Sequence, residues 1–194
     1  PSSPLGKIAV GIAPSNSDKM YALIETAQYD YAGVLFSSSN AGASWKLVSH
    51  DQEYTQRPHY YTRLAISPTD ADEVYFMAHG VWKTQDGGKT ASRLPGVGGD
   101  DHDMWIDPTN PDRILVGNDG GIAISTTHGQ SWHRPDLPTG QMYHVAVDNQ
   151  IPYNVYGNRQ DGPSTKGPSN SRMGGGISTA LWHPVGGGES GYSL

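Results

Sequence analysis

The sequence predicts an all-β chain folded as a β-propeller of four-stranded antiparallel blades, with about four and a half blades present as an incomplete ring. Three observations predict it. The chain repeats itself at a spacing of roughly 40 to 55 residues, the range of propeller blades and solenoid units. Each repeat carries short apolar runs separated by Gly, Asn, Asp and Pro turns, the mark of several short strands rather than of helices. In the first three repeats the last two strands flank the same polar hairpin, at Ser38 to Trp45, Thr84 to Ala91 and Ser125 to Trp132. Four short strands per repeat favour the propeller over the solenoid.

The third repeat shows the pattern most clearly, as MWIDPTNPDRILVGNDGGIAISTTHGQSW from Met104 to Trp132. An alternating run ends at Asp107-Pro108, Ile114-Leu115-Val116 follows a polar turn, and Asn118-Asp119-Gly120-Gly121 turns back into Ile122-Ala123-Ile124. The same order stands upstream as Leu64 to Pro68, Val74 to Met77 and Val81 to Lys83, and at the start as Val10 to Pro14, Met20 to Leu23 and Val34 to Phe36. A fourth copy opens with Val145 to Asp148 and Asn154 to Tyr156. The blades are therefore expected over 1–50, 51–94, 95–134 and 135–185, with the start of a further one at 186–194. In the first blade Glu25 to Tyr31 is a polar insert. In the fourth, Gly162 to Gly176 reads as a long loop or mobile segment and Thr179 to Trp182 as the outer strand.

The repeated hairpin is close to Ser/Thr-x-Asp-x-Gly-x-Thr/Ser-Trp and resembles the Asp-box, or BNR repeat. An Asp or Asn side chain accepts from backbone amides beyond it and holds the turn. Glycine supplies positive φ, hydroxyls at either end bond the turn, and Trp offers an apolar face to the neighbouring blade. Asn40 stands at the acidic position of the first copy, Asp86 in the second with Ala91 replacing Trp, and Thr127 in the third.

Composition narrows the function classes. A hydrophobic fraction of 35% and 25 Gly with 14 Pro suit a soluble chain of many turns. A net charge of -6 without a Lys/Arg run disfavours nucleic acid or an anionic membrane as partner, and no apolar stretch reaches membrane-spanning length. The absence of Cys removes disulfides and a thiol nucleophile. No His or acid spacing specifies a metal, and no cofactor is expected. Without an initiator Met or signal-like segment at Pro1, the chain reads as processed or as a piece of something longer.

Further phrases carry a family resemblance: Gln56 to Thr62, Gly99 to Pro108, Gly117 to Gly121, Tyr143 to Asn149, Pro152 to Gly157, Gln160-Asp161 and Gly186 to Tyr192. Together with the hairpins they resemble large bacterial propeller proteins of the sortilin-like (VPS10) and BNR-repeat glycosyl hydrolase type. The resemblance implies a longer, exported protein, secreted, periplasmic or at the cell surface. It implies that the remaining blades come from the same chain or from an oligomer partner, and that the ligand is an extracellular peptide or glycan.

In a four-stranded blade, the turn between strands two and three and the link to the next blade share one face, where propeller ligands usually sit. The links place Tyr60 and Tyr61, Asp100, Asp101, His102 and Asp103, then Gln141 and Tyr143, then Glu189 and Tyr192 there. The turns add His79, Asn118 and Asp119, and Arg159, Gln160 and Asp161. Asp101, Asp103, Asp119, Asp161 and Glu189 are the candidate catalytic carboxylates, since a glycosidase needs a pair flanking the sugar. Asp100 to Asp103 read together as a carboxylate and imidazole cluster for acid/base work or cation binding. Tyr60, Tyr61, His79, His102, Asn118, Gln141, Tyr143, Arg159, Gln160 and Tyr192 are the candidate binding residues. The plainer alternatives are solvated links and Asn/Asp-Gly hairpin turns. A sialidase is disfavoured, because only Arg159 falls on that face and the sugar carboxylate needs an arginine triad. Three readings stay open: a binding propeller, a glycoside hydrolase using rim carboxylates, and a structural segment without its own activity.

Overall fold

The computed structural model describes residues 4–26, 34–137, 140–186 and 188–189. They fall into two compact units, 1–135 and 136–194. In the first unit, β1 (Ile8–Ala13), β2 (Asn16–Ile24), β3 (Leu35–Ser38) and β4 (Lys46–Ser49) form one sheet. A second comprises β5 (Arg63–Ile66), β6 (Val74–Met77), β7 (Val81–Thr84) and β8 (Ser92–Arg93), and a third β9 (Asp101–Ile106), β10 (Ile114–Asn118) and β11 (Gly121–Ser125). The second unit holds β12 (Met142–Val147), β13 (Asn154–Arg159), β14 (Ser164–Pro168) and β15 (His183–Gly186). Every sheet is antiparallel with spatial order equal to chain order, the up-and-down meander of a propeller blade.

Three details depart from the sequence reading. The fourth strand of the third blade shrinks to a single bridge, in which Ile124 and His133 exchange both backbone hydrogen bonds at 2.8 Å. Pro135, two residues on, has no N–H with which to extend the pairing. In the fourth blade the stretch read as a loop contains β14, registered against β13 from Asn154↔Pro168 to Asn158↔Ser164. The outer strand is β15, whereas Thr179–Leu181 is a 3-10 turn whose preceding Ser178 caps it by accepting from Ala180 N. Trp182 lies flat against Gly167, where a Cβ would stand 2.3 Å from the indole, so the glycine in β14 is a seat for an aromatic ring rather than a sign of disorder.

The three hairpins of the first unit share one hydrogen-bond plan. The hydroxyls of Ser38, Thr84 and Ser125 accept from the amides of Gly42, Gly88 and Gly129, each at 2.9 Å. Asn40 Oδ1, Asp86 Oδ1 and Thr127 Oγ1 accept from the amides of Ser44, Thr90 and Ser131, again at 2.9 Å. Hydrogen bonds from the Thr90 amide and hydroxyl hold the Asp86 carboxyl down at about 2. Gly88, at φ 93, also receives the preceding blade: a Cβ there would lie 2.1 Å from Leu35 Cδ2.

β6 shows how the blades cohere, because all four of its side chains are buried. Val74 and Phe76 join Tyr21, Leu23, Leu35 and Tyr54 in one core, while Tyr75 and Met77 join Val81, Ile114, Val116 and Ala123 in another. Strand alternation thus sends successive residues into two neighbouring blades. The ring of Tyr54, from the link into the second blade, stacks on Phe76 with centroids 4.7 Å apart.

Glu73, just before β6, adds a buried ionic tie to the third blade. It accepts from Tyr75 Oη at 2.9 Å, from Lys83 Nζ at 3.1 Å and from His128 Nε2 at 2.8 Å. Burial disfavours its charge, yet hydrogen bonds from His128 and Lys83 outweigh it and hold the carboxyl below its usual range. His128 Nδ1 reaches Asp112 at 3.1 Å from the other side.

Two stability predictions follow from this packing. Gly88→Ala forces both a disfavoured φ and a clash with Leu35, and is expected to cost about 2 kcal/mol in urea unfolding. Gly174→Ala, in open space, serves as a neutral control. Glu73→Gln leaves Lys83 and His128 against an uncharged buried partner and is expected to cost about 3 kcal/mol at neutral pH. Because the folded Glu73 carboxyl titrates below its unfolded value, its contribution is present above pH ~4.3 and lost as pH falls. The acid limb of a stability–pH curve is therefore expected to flatten in the variant.

Candidate functional site

The link into the second blade is a 3-10 turn over Gln52–Thr55, capped by Asp51, and then a bend through residues 56–62. Arg57 and Thr62 both adopt left-handed backbone, at φ 50 and 71, and so does Asp100 in the following link, at φ 57. A β-branched residue such as Thr62 holds that conformation only when its surroundings fix it. Thr62 is buried, with its hydroxyl 3.4 Å from Pro58 O, while its neighbours in the link converge on Asp100. Its Oδ1 accepts from the Tyr61 hydroxyl in a short hydrogen bond, from Arg57 Nη1 at 3.0 Å and from His79 Nδ1 at 3.0 Å. One carboxylate oxygen thus joins two successive links and the β6–β7 turn.

The electrostatics follow from that geometry. The Tyr61 hydrogen bond, reinforced by His79 and Arg57, holds the Asp100 carboxyl below the usual range despite some burial. Burial first, and then the adjacent Asp100 charge, push the Tyr61 hydroxyl far up. The Tyr61 ring lies 5.1 Å from the imidazole of His102, whose Nε2 donates to Asp119 Oδ1 at 2.7 Å. Asp119 belongs to the β10–β11 turn, so this second His–Asp pair extends the cluster within the third blade. Tyr60 is 55% exposed, with the Arg57 guanidinium 4.9 Å from its ring centroid and His59 at 4.4 Å.

Beside the cluster a cleft of about 600 Å³ opens against Arg57 and His79 and runs past Glu25, Gln52, Glu53 and Gln56. Its volume falls within the range of small-ligand sites. Its wall mixes apolar surface with hydrogen-bonding groups of both senses.

The remaining sequence candidates separate. Asp101 is fully buried, with Asn118 Nδ2 3.4 Å from its Oδ1 and Oδ2 without a hydrogen bond; burial pushes its carboxyl up. It stands behind the ligand-accessible surface. Asn118 builds the turn, accepting from Gly120 N at 3.0 Å. Asp103 is exposed and accepts from the amide of Met104 at 2.9 Å. In the second unit the Tyr143 hydroxyl donates to Glu189 at 3.3 Å. Gln141 O accepts from Gln160 N at 2.9 Å, Asp161 takes φ 52 in the β13–β14 turn, and the Arg159 guanidinium lies over Gly162. Tyr192 lies outside the described residues. Among the described residues no group of three or more His, Asp and Glu side chains suits a metal ion.

Arginine is where the sequence reading needs correcting. Arg57 shares the face with His79, and Arg93, at the end of an outer strand, donates to His79 O at 3.3 Å. The first unit thus brings two arginines to His79, where the sequence reading placed none. The signal for Arg57 is its place three residues before Tyr60, in a link rich in aromatic residues. Asp100, named with its neighbours as a polar link, is the hub, while Asp101 is turned inward by strand alternation.

No family model and no curated protein matches the chain. Among solved structures, a GH74 enzyme of Niastella koreensis superposes with a TM-score of 0.54 at 17% identity, covering 94% of this chain and 30% of that one. A GH74 xyloglucanase from Xanthomonas campestris gives 0.49 at 18% identity, covering 82% and 28%. YCF48 from Cyanidioschyzon merolae gives 0.48 at 16%, covering 91% and 55%. The likeness to the Niastella enzyme shows a β-propeller fold, of which this chain is a partial one, and the chain spans under a third of that enzyme's length.

Tyr61→Phe removes the strongest donor to Asp100. The folded Asp100 carboxyl is depressed, so its contribution is full above its unfolded value near ~3.9 and lost as pH falls through the folded one. The variant is expected to raise the Asp100 titration, measured by carboxyl NMR, and to begin acid unfolding at a higher pH than the wild type.

Proposed function

We propose that this chain is part of an exported, sortilin-like Asp-box propeller that binds an extracellular peptide or glycan on the face formed by the inter-blade links. The observation that carries the reading is the convergence of Arg57, Tyr61, His79 and Asp100 beside an open cleft, with exposed Tyr60 packed against Arg57. The three repeated hairpins support the Asp-box assignment by their shared hydrogen-bond plan. In this reading the apolar side chains left exposed on β1, Ile8, Val10 and Ile12, are covered by a further blade of the same longer protein or of an oligomer partner.

A hydrolase reading draws on a separate observation, the opposite displacement of two adjacent carboxyls, Asp100 down and Asp101 up. Such a divided pair is how acid and base roles are assigned in glycosidases. Full burial of Asp101 argues against its touching a substrate, whereas Asp100, Asp103 and Asp119 keep solvent access.

Peptide and glycan arrays probed with the intact protein test the binding reading. Tyr60→Ala and Arg57→Ala are expected to weaken any captured ligand by about tenfold or more, as loss of an aromatic or Arg anchor does. Cleavage of a captured glycan that disappears in Asp119→Asn, with binding kept, would instead establish the hydrolase. Absence of any ligand for the intact protein would leave the segment structural.

A further inference from the structure

The opposite face of the first unit, on which the repeated hairpins lie, carries a second cleft of about 500 Å³ between the first two blades. Nothing in the link-face site accounts for it. Its walls bring together Lys19, Lys46, Lys89, Trp45, Ser37 and Ser39, with Asp72 and Asp86 as the acids. Three lysines against two carboxylates is a local reversal in a chain of net charge -6.

The two acids are already engaged. Both oxygens of Asp86 are held inside its hairpin by Thr84 and Thr90, and Asp72 Oδ1 takes Lys19 at 2.9 Å and the Tyr21 hydroxyl at 3.2 Å. Lys46 and Lys89 are exposed and form no ion pair among the described residues. Two cations thus face the cleft with donors to spare.

The indole beside them is also uncommitted. Trp132, the equivalent residue of the third blade, packs into a core cluster and donates Nε1 to Gly129 O at 3.1 Å. Trp45 stays 41% exposed, and its Nε1 has no hydrogen-bond acceptor among the described residues. The same hairpin position therefore closes a blade in one copy and faces a cleft in another. The hydroxyls of Ser37 and Ser39 likewise have no hydrogen-bond partner among the described residues.

We propose that this cleft binds an acidic saccharide, with a sugar ring on Trp45, ring hydroxyls on Ser37 and Ser39, and the anionic substituent on Lys46 and Lys89. A flat aromatic face bordered by hydroxyls fits a pyranose, whose C–H face is apolar and whose rim is polar. Charge-assisted hydrogen bonds from the two ammonium groups select a carboxylate or sulfate ester over a neutral sugar. The site is independent of the link face and stands whichever reading of that face holds.

Calorimetric titration of the intact protein with an oligogalacturonate, a sulfated disaccharide, a neutral disaccharide, sodium sulfate and a Glu-rich peptide tests the proposal. Binding of the oligogalacturonate or the sulfated disaccharide supports it, and whichever binds identifies carboxylate or sulfate as the source of charge. Lys46→Gln, Lys89→Gln and Trp45→Ala are each expected to weaken that binding by about tenfold, one lost charged or aromatic contact apiece. Gly174→Ala, in open space and lining neither cleft, is expected to leave it unchanged. The proposal is overturned if neither acidic saccharide binds, or if the neutral sugar, sulfate alone or the peptide binds as tightly. Equal binding by the lysine variants, which alter only exposed side chains and keep the fold, overturns it too.

Discussion

The two-sided burial of the second blade is the constraint on which the first unit rests. A sheet of four short strands has too little surface of its own to form a core, and becomes stable only when both faces are covered. β6 meets that need by alternation, Val74 and Phe76 turning toward one neighbour and Tyr75 and Met77 toward the other. The neighbours must present recesses for such side chains. Gly11 provides one, since a Cβ there would lie 2.4 Å from Leu64, and Gly88 provides another for Leu35. Glycine in this chain thus serves as a socket between blades as well as a turn residue.

That constraint explains which parts of the fold were legible. The alternating runs, the polar turns and the hairpin glycines are imposed by the same packing in every blade, so their recurrence in the sequence predicted the strands of the first unit directly. The fourth blade was less legible because its third strand, Ser164–Pro168, contains Gly and Pro and lacks large apolar residues. Its stabilising contact comes from Trp182, fifteen residues away from Gly167 in sequence and visible only once the strands are paired. Local composition suggested a loop where a distant ring supplies the packing.

The link face was legible as a place but not as a network. Strand order alone put Tyr61, His79, His102 and Asp119 on one side, and the structure brings these four into one neighbourhood with Asp100. What sequence could not rank was Asp100 over Asp101, adjacent and chemically identical residues. The left-handed backbone at Asp100 turns one carboxylate toward the links, and the start of β9 turns the next into the protein. Arg57 is hidden in the sequence for a related reason, because its left-handed conformation sits in a polar link whose guanidinium reaches Asp100 only once the links are folded together. The strained residues are the ones that aim the cluster, and the same contacts that hold the strain tie successive links together.

The three hairpins separate what the turn requires from what a ligand could use. In all of them the residue two places after the first hydroxyl accepts the amide four residues on at 2.9 Å, although that residue is Asn40, Asp86 or Thr127. The turn therefore needs an acceptor of the right reach, and the negative charge is dispensable to it. Asn40 holds the first hairpin by its side-chain oxygen without placing a carboxylate on the hairpin that carries Trp45. An uncharged acceptor at this position stands beside the exposed Trp45 in the first hairpin and beside the packed Trp132 in the third, so the turn and the exposure of its Trp are set separately.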